Sequence, residues 1–263
     1  MERYDYQTSF RVFEWETDKN GIMTTGSLLR RVQQLGTDHC ESIGLNDDVY
    51  ERCGAVFLMV KSVAEWKRPV KAGEKLQVQT AAGTAQRAVY PRVAELIDEQ
   101  GVAVCRADTR WVLVDAVQHR ILRRPPEEMD LSSFGTAPLS LSMEPEKLKA
   151  PLVPGGVRRA LYTECDRNGH LNNTKYADWL YDLVPCERWD SEWVKRCVIH
   201  YHHEIPLNTE VSLAVGGEGA FFAVQGSRED RKCFDAQLEF CTKEYRPYAV
   251  TDRTNCRHRV FLT

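Results

Sequence analysis

The chain contains one polar motif twice, and this duplication constrains the fold more than any other feature. Residues 18–25 read Asp-Lys-Asn-Gly-Ile-Met-Thr-Thr, and residues 166–173 read Asp-Arg-Asn-Gly-His-Leu-Asn-Asn. Asp and Asn-Gly recur at the same spacing, but Ile22 stands where the second copy has His170. A duplicated unit in a chain of 263 residues predicts two lobes of ordinary domain size.

A second match lies downstream of the first. Residues 65–70 correspond to residues 200–205, with Pro69 in the position that Glu204 occupies in the second copy. Asp-x-Asn-Gly by itself is a turn signature. Turn geometry does not explain why His170 and Glu204 are present in one copy and absent from the other, so we expect the second copy to carry the chemistry.

Both halves show the same order of local patterns: a strand, the polar turn, an amphipathic helix and an antiparallel meander. The alternation of apolar residues predicts first-half strands at 8–15, 56–66, 75–80, 88–98 and 102–114. It predicts second-half strands at 158–165, 196–205, 210–215, 221–227 and 235–245. Helical spacing follows each polar turn.

The stretch between the halves is rich in proline, serine and glycine and has neither periodicity. We therefore divide the chain into an N-terminal lobe at 1–130, a linker at 131–156 and a C-terminal lobe at 157–263.

Composition excludes several classes of protein. Hydrophobic residues make up 43% of the chain, but no apolar run approaches the roughly 20 residues that span a bilayer. The N-terminus lacks the layout of a secretory signal, so we expect a cytoplasmic protein. A net charge of −3 does not favour nucleic acid. Nine cysteines without a C-x-x-C pair indicate reduced thiols.

If the second motif is extended, Asp166, Asn168 and His170 lie on one face as a polar row. A helix starting near Asn172 or Asn173 would direct its free N–H groups and positive dipole end at the same place, where an oxyanion could be stabilised. Either asparagine could instead cap the helix.

Glu204, expected on a separate strand, is a candidate partner for His170. A carboxylate beside an imidazole orients it and raises its basicity, as a general base near neutral pH requires. This combination suits hydrolysis of an ester or thioester. Two other readings are weaker: a metal site formed by His200, His202 and Glu204, and a nucleophilic Cys165, which is more simply a buried spectator.

Three segments resemble the acyl-ACP thioesterases, the fatty acyl-[acyl carrier protein] hydrolases of plants and bacteria. Residues 166–176 resemble the family segment D-x-N-x-H-V-N-N-x-K-Y. Residues 109–115, with Arg120 and 124–128, are similar to its s-x-W-v-x-m-d…R…iP-x-e pattern, and residues 200–204 are similar to its E-Y-R-R-E strand. The chain departs from some members by having Ile205 where they have a cysteine, so a thiolate at that position is excluded.

The resemblance implies an α+β double hot-dog fold, in which each of two tandem lobes is an antiparallel sheet wrapped round a central helix. It implies a catalytic set of Asp166, Asn168, His170 and Glu204, with no metal and no organic cofactor. The non-catalytic N-terminal lobe is the expected place for an acyl-chain pocket.

The implied partner is acyl carrier protein, which is acidic, so basic side chains beside the active turn are candidates for docking it: Arg158, Arg159, Arg167 and Lys175. Asn172 and Asn173 are candidate substrate contacts. The sequence leaves open the acyl chain length and a homodimer. The alternatives are an acyl-CoA thioesterase, a hot-dog dehydratase or hydratase, and a non-catalytic acyl-thioester binding protein.

Overall fold

The computed structural model describes residues 4–138 and 141–243. Within them the strands are β1 (Tyr6–Arg11), β2 (Ala55–Trp66), β3 (Lys75–Ala82), β4 (Val89–Asp98), β5 (Ala103–Asp115), β6 (Val153–Arg159), β7 (Glu192–Tyr201), β8 (Glu210–Glu218), β9 (Phe221–Arg228) and β10 (Arg231–Thr242). The α-helices are α1 (Thr25–Ser42), α2 (Asp47–Cys53), α3 (Lys175–Leu183) and α4 (Arg188–Ser191).

All ten strands join in one antiparallel sheet of order β1-β3-β4-β5-β2-β7-β10-β9-β8-β6. Read inwards from the two edges, the first half has the order β1, β3, β4, β5, β2 and the second half has the order β6, β8, β9, β10, β7. Equivalent strands therefore occupy equivalent places, as a duplicated unit requires. The halves meet where β2 pairs with β7, from Lys61 opposite His200 to Glu65 opposite Arg196. The predicted α+β double hot-dog fold is confirmed.

Each half of the sheet packs around one helix because that helix has an apolar face. In the first half, α1 packs Leu28 and Val32 against β3 and β4. In the second half, α3 packs Trp179 and Leu180 against β8, β9 and β10. Leu28, Trp179 and Leu180 are fully buried, so each helix contributes the hydrophobic burial that stabilises its half of the sheet.

The predicted strands at 8–15 and 158–165 are too long at their C-terminal ends. Each real strand stops and a short 3₁₀ turn follows, at Glu14–Glu16 and Tyr162–Glu164. The cause is the same in both halves. The Glu16 carboxylate accepts a hydrogen bond from the Phe13 N–H at 2.9 Å, and Glu164 accepts one from the Leu161 N–H at 3.0 Å, which closes the turn.

The sequence patterns did not predict two short helices, α2 and α4, which have seven and four residues and are too short for a periodic signal. Strand β6 begins at Val153, inside the predicted linker. The division into lobes at 1–130 and 157–263 with a linker at 131–156 stays a prediction. In residues 4–138 and 141–243, no helix combines the length and apolarity needed to cross a bilayer.

The central helices α1 and α3 touch at Gly26. A Cβ atom at this position would overlap the Asp178 carboxylate. That carboxylate is already engaged, because Arg30 Nη2 lies 2.6 Å and Lys175 Nζ lies 3.4 Å from Asp178 Oδ2. The absence of a side chain at Gly26 thus permits the close contact between the two helices.

We expect Gly26→Ala to lower the free energy of unfolding by about 1–3 kcal/mol, because it displaces Asp178 from Arg30. Gly36→Ala is the matched control in the same helix. Its Cβ would lie 3.4 Å from Arg92 Nε, an ordinary contact, so helix propensity should raise stability by up to about 1 kcal/mol. Urea unfolding compares the two. Equal stability of both variants would contradict this account of the helix contact.

Candidate active site

The second polar motif is a closed turn, so the predicted extended row of Asp166, Asn168 and His170 is wrong. The Asp166 N–H donates to the His170 carbonyl at 2.8 Å, which reverses the chain. The Asp166 Oδ1 atom accepts from the Asn168 N–H at 2.8 Å and is 3.4 Å from the His170 N. Gly169 has a φ of +76°, a conformation that favours glycine.

The first motif forms the same turn. Asp18 Oδ1 accepts from the Asn20 N–H at 2.8 Å and from the Ile22 N–H at 3.1 Å, and Gly21 has a φ of +72°. The turn therefore forms without a histidine. In the second copy, the Asp166 carboxylate holds the backbone from which His170 projects.

The sequence patterns predict Glu204 on a strand, and this prediction is wrong. Glu204 lies in the loop after β7. Strand β7 ends at Tyr201 because the next two N–H groups, of His202 and His203, both donate to the Cys233 carbonyl, at 2.8 and 3.1 Å. The ladder is thereby interrupted.

Two backbone hydrogen bonds join this loop to the polar turn at 166–170. The Leu171 N–H donates to the Ile205 carbonyl at 2.8 Å, and the Leu207 N–H donates to the Gly169 carbonyl at 2.9 Å. These bonds place residues from two separate segments side by side.

The link brings His170 and Glu204 together. His170 Nδ1 lies 3.4 Å from Glu204 Oε2, an ion-pair distance that is longer than an ordinary hydrogen bond. The side chains are 25% and 37% exposed, so water can reach both. Since Nδ1 faces the carboxylate, Nε2 on the other side of the ring is free to act as a base.

His119 is a site residue that the sequence patterns did not indicate. Its Nδ1 atom lies 3.5 Å from the same Glu204 Oε2 atom, although it comes from the loop after β5 in the first half of the chain. It lies in a turn without periodicity, and the duplication gives no signal there. Only the tertiary structure brings it to Glu204.

The two predicted substrate asparagines have different surroundings. Helix α3 begins at Lys175, later than predicted. Asn172 Oδ1 accepts from the Thr174 N–H at 2.9 Å and hydroxyl at 2.7 Å, so it shapes the chain before the helix. Asn173 Oδ1 is buried and has no hydrogen-bond partner among the described residues. Asn168 is exposed, and its side chain likewise has no partner in that part of the chain.

Every basic side chain that was predicted to dock the carrier is paired within the chain. The pairs are Arg158 with Asp182 at 2.7 Å, Arg159 with Glu210 at 2.6 Å, Arg167 with Asp47 at 2.7 Å and Lys175 with Asp178 at 3.4 Å. Arg167 and Asp47 are 72% and 65% exposed, so their pairing contributes little to stability and can be exchanged for a partner's charge.

His200, His202 and Glu204 do not converge on one point. His200 Nδ1 and His202 Nε2 instead contact Asp235, at 3.3 and 2.6 Å. Burial alone would raise the pKa of Asp235, but hydrogen bonds from His200, His202 and Lys232 outweigh it and hold that pKa well below its usual range. Residues 4–138 and 141–243 contain no group of three or more His, Cys, Asp or Glu side chains that could hold a metal ion.

Cys165 precedes the polar turn at 166–170. Burial raises the pKa of its thiol, and the carboxylates of Asp166 and Glu164 raise it further. A thiol with a raised pKa is a poor nucleophile at neutral pH; Cys165 is half-buried, and its role as a spectator stays a prediction.

Comparison with known proteins places the chain in a family. Residues 3–131 match the acyl-ACP thioesterase N-terminal domain, and residues 157–247 match the acyl-ACP thioesterase C-terminal domain. The chain belongs to the acyl-ACP thioesterase family.

Among curated relatives, the chloroplastic acyl-[acyl-carrier-protein] hydrolase FATB3 of Cuphea viscosissima is 23% identical over 212 residues, covering 76% of this chain and 52% of the relative. The chloroplastic oleoyl-acyl carrier protein thioesterase 1 of Arabidopsis thaliana is 23% identical over 221 residues, covering 76% of this chain and 60% of the relative. The chain thus spans about half the length of the curated relatives it matches.

Solved structures share the fold over most of the chain. An acyl-ACP thioesterase from Bacteroides thetaiotaomicron superposes with a TM-score of 0.79 at 19% identity, covering 89% of this chain and 97% of that one. The 12:0-ACP thioesterase from Umbellularia californica superposes with a TM-score of 0.79 at 17% identity, covering 90% of this chain and 97% of that one. These matches support the double hot-dog architecture.

The repeated turn gives a paired prediction about stability. We expect Asp18→Ala and Asp166→Ala each to lower the free energy of unfolding by about 1–3 kcal/mol, because each removes the acceptor at the centre of its turn. Asp18→Asn and Asp166→Asn keep a side-chain oxygen and should recover most of the loss. Urea unfolding measures all four. A wild-type stability of Asp166→Ala beside a destabilised Asp18→Ala would contradict the shared role.

Proposed function

We propose that this chain hydrolyses the thioester of fatty acyl-ACP to a free fatty acid and holo-ACP, which ends chain elongation in fatty acid synthesis. The observation that carries the proposal is the 3.4 Å approach of His170 Nδ1 to Glu204 Oε2. It occurs in the copy of the duplicated unit that has both ionisable residues, and in a member of the acyl-ACP thioesterase family. We also propose a cytoplasmic location, as expected from the sequence, whereas the sequence leaves a homodimer open.

In the proposed mechanism Glu204 accepts from His170 Nδ1–H and so fixes the tautomer with a free lone pair on Nε2. Nε2 takes a proton from water as the oxygen forms a bond to the thioester carbonyl carbon. The tetrahedral intermediate then expels the carrier's thiolate as the C–S bond breaks. The proton on Nε2 passes to the sulfur, which restores neutral His170.

The developing oxyanion requires donors. The exposed Asn168 amide and the N–H groups in the first turn of α3 supply them in this proposal. Asn173, which is only partly buried as a residue, contributes a substrate contact in this proposal. Asp166 acts through the backbone of the turn, by keeping His170 in place.

The first copy of the motif offers no second site of this kind. Ile22 lines a cavity of only about 10 Å³, which Trp189 and Trp193 from the second half also line. Such a volume holds about one water molecule. We propose that the first lobe is non-catalytic and that it accommodates the acyl chain.

The decisive assay is free-thiol release from acyl-ACPs of different chain length, with EDTA in a parallel set. We expect His170→Ala and Glu204→Ala each to lower kcat by about 10²–10⁴-fold, because each removes part of the general base. His203→Ala is the control, because His203 lies in the same loop as Glu204 but its ring contacts the Lys232 carbonyl on β10. This variant should retain wild-type turnover.

Near wild-type turnover by both folded alanine variants would refute the assignment of the base. Release from acyl-CoA but from no acyl-ACP would establish the acyl-CoA alternative. Tight binding of acyl-ACP without release would establish a non-catalytic binding protein. Circular dichroism of each variant separates lost chemistry from lost folding.

A further prediction concerns the carrier. We propose that the acidic carrier replaces Asp47 and the other acids as partner of Arg158, Arg159, Arg167 and Lys175. Arg167→Glu should therefore raise KM for acyl-ACP several-fold and leave KM for acyl-CoA of equal acyl length unchanged, because only the protein carrier provides a complementary acidic surface. Arg11→Glu, an exposed change of equal charge on β1, is the control. Equal KM changes for both carriers would exclude this docking surface.

A further inference from the structure

The carboxylate of Glu204 lies between two imidazoles that come from different lobes. His170 Nδ1 lies 3.4 Å and His119 Nδ1 lies 3.5 Å from the same oxygen, Oε2. Among the described residues, these two rings are the only basic side chains within 4 Å of the Glu204 carboxylate. A carboxylate oxygen has two lone pairs, so it can accept a hydrogen bond from each ring.

The loop that carries His119 is closed by its own hydrogen bonds. The Asp115 N–H donates to the Arg120 carbonyl and the His119 N–H donates to the Asp115 carbonyl, both at 2.9 Å. The Asp115 Oδ1 atom accepts from the N–H groups of Val117 at 2.9 Å and Gln118 at 2.7 Å. These last two bonds hold the pKa of Asp115 below its usual range. His119 therefore projects from a fixed backbone.

Glu204 needs such an anchor. It lies on a loop beyond the end of β7, its side chain is 37% exposed, and a glutamate has several rotatable bonds. His170 is the group that Glu204 must orient in the proposed mechanism. A carboxylate that is held by His170 alone would move with the ring it should keep in place.

We propose that His119 is a positioning residue of this active site: it holds the Glu204 carboxylate from the first lobe while His170 faces the same oxygen from the second. The proposal rests on the proposed thioesterase function. The first lobe then contributes to catalysis as well as to acyl binding, and the active site is complete only when both lobes are in contact.

Substitutions at His119 must respect its backbone, because its φ of +55° is a left-handed conformation. Glycine, asparagine and aspartate adopt this conformation readily. His119→Asn places an N–H₂ group at the position of Nδ1, one bond from Cγ. His119→Asp places a carboxylate there, which repels Glu204. His119→Gly removes the side chain, and the 53% exposure of the ring leaves room for added imidazole.

In the acyl-ACP thiol-release assay, His119→Gly and His119→Asp should lower kcat about tenfold or more, with KM within about twofold. His119→Asn should stay within about threefold of wild type, and added imidazole should restore part of the His119→Gly turnover. Gln118→Ala, an exposed change in the same loop, is the control and should be unchanged. A general structural role would not separate asparagine from aspartate or respond to imidazole. Retention of wild-type kcat by both His119→Gly and His119→Asp would overturn the proposal.

A second measurement needs no activity. Long-range ¹H–¹⁵N spectra of the histidine side chains should show a shift of the His119 Nδ1 resonance when Glu204 is replaced by Gln, because a carboxylate partner is lost. An unchanged His119 resonance would also overturn the proposal. If the wild-type chain released thiol from no acyl-ACP, the proposed function would fail, and these spectra would still decide whether His119 holds Glu204.

Discussion

The candidate active site depends on two backbone hydrogen bonds, from Leu171 to Ile205 and from Leu207 to Gly169, that connect the polar turn at 166–170 to the loop after β7. These backbone hydrogen bonds bring His170 close to Glu204, so the approach does not depend on a hydrogen bond between the two side chains. The first half has the same link, since Met23 donates to the Val70 carbonyl at 2.8 Å. The same backbone link therefore occurs in both halves, but only the second half has His170 and Glu204 beside it.

The equivalence of the two copies explains what the second lobe does differently. In the first copy Ile22 stands where His170 stands in the second, and Ile22 lines a cavity of about 10 Å³ together with Trp189 and Trp193. An ionisable side chain placed beside these apolar rings without a partner would cost free energy. In the second copy Glu204 lies 3.4 Å from His170, so the same backbone turn there carries an ionisable pair.

The fold could be predicted from the sequence because duplication and periodicity are local signals that add up along the chain. The strands β2 to β5 begin and end within two residues of their predicted positions. His170 and Glu204 could be predicted because the two copies differ there. The ends of β1 at Arg11 and of β6 at Arg159 could not be predicted. At each of them a glutamate side chain accepts one backbone N–H group and closes the turn that ends the strand. His119 could not either, since only the packing of the two halves brings its loop to Glu204.

The geometry also narrows the choice of the base in the proposed reaction. Asp166 is directed at the backbone of its own turn, and the raised pKa of Cys165 keeps its thiol protonated at neutral pH. His200 and His202 are engaged by Asp235. Of these ionisable groups around the turn, His170 and Glu204 keep atoms that face solvent and lie close to each other. In the proposed reaction the Nδ1 atoms of His170 and His119 both face Glu204 Oε2. His170 Nε2 is then the ring atom in the second lobe that can take a proton from water, and the stronger intrinsic basicity of an imidazole favours it over Glu204 Oε1.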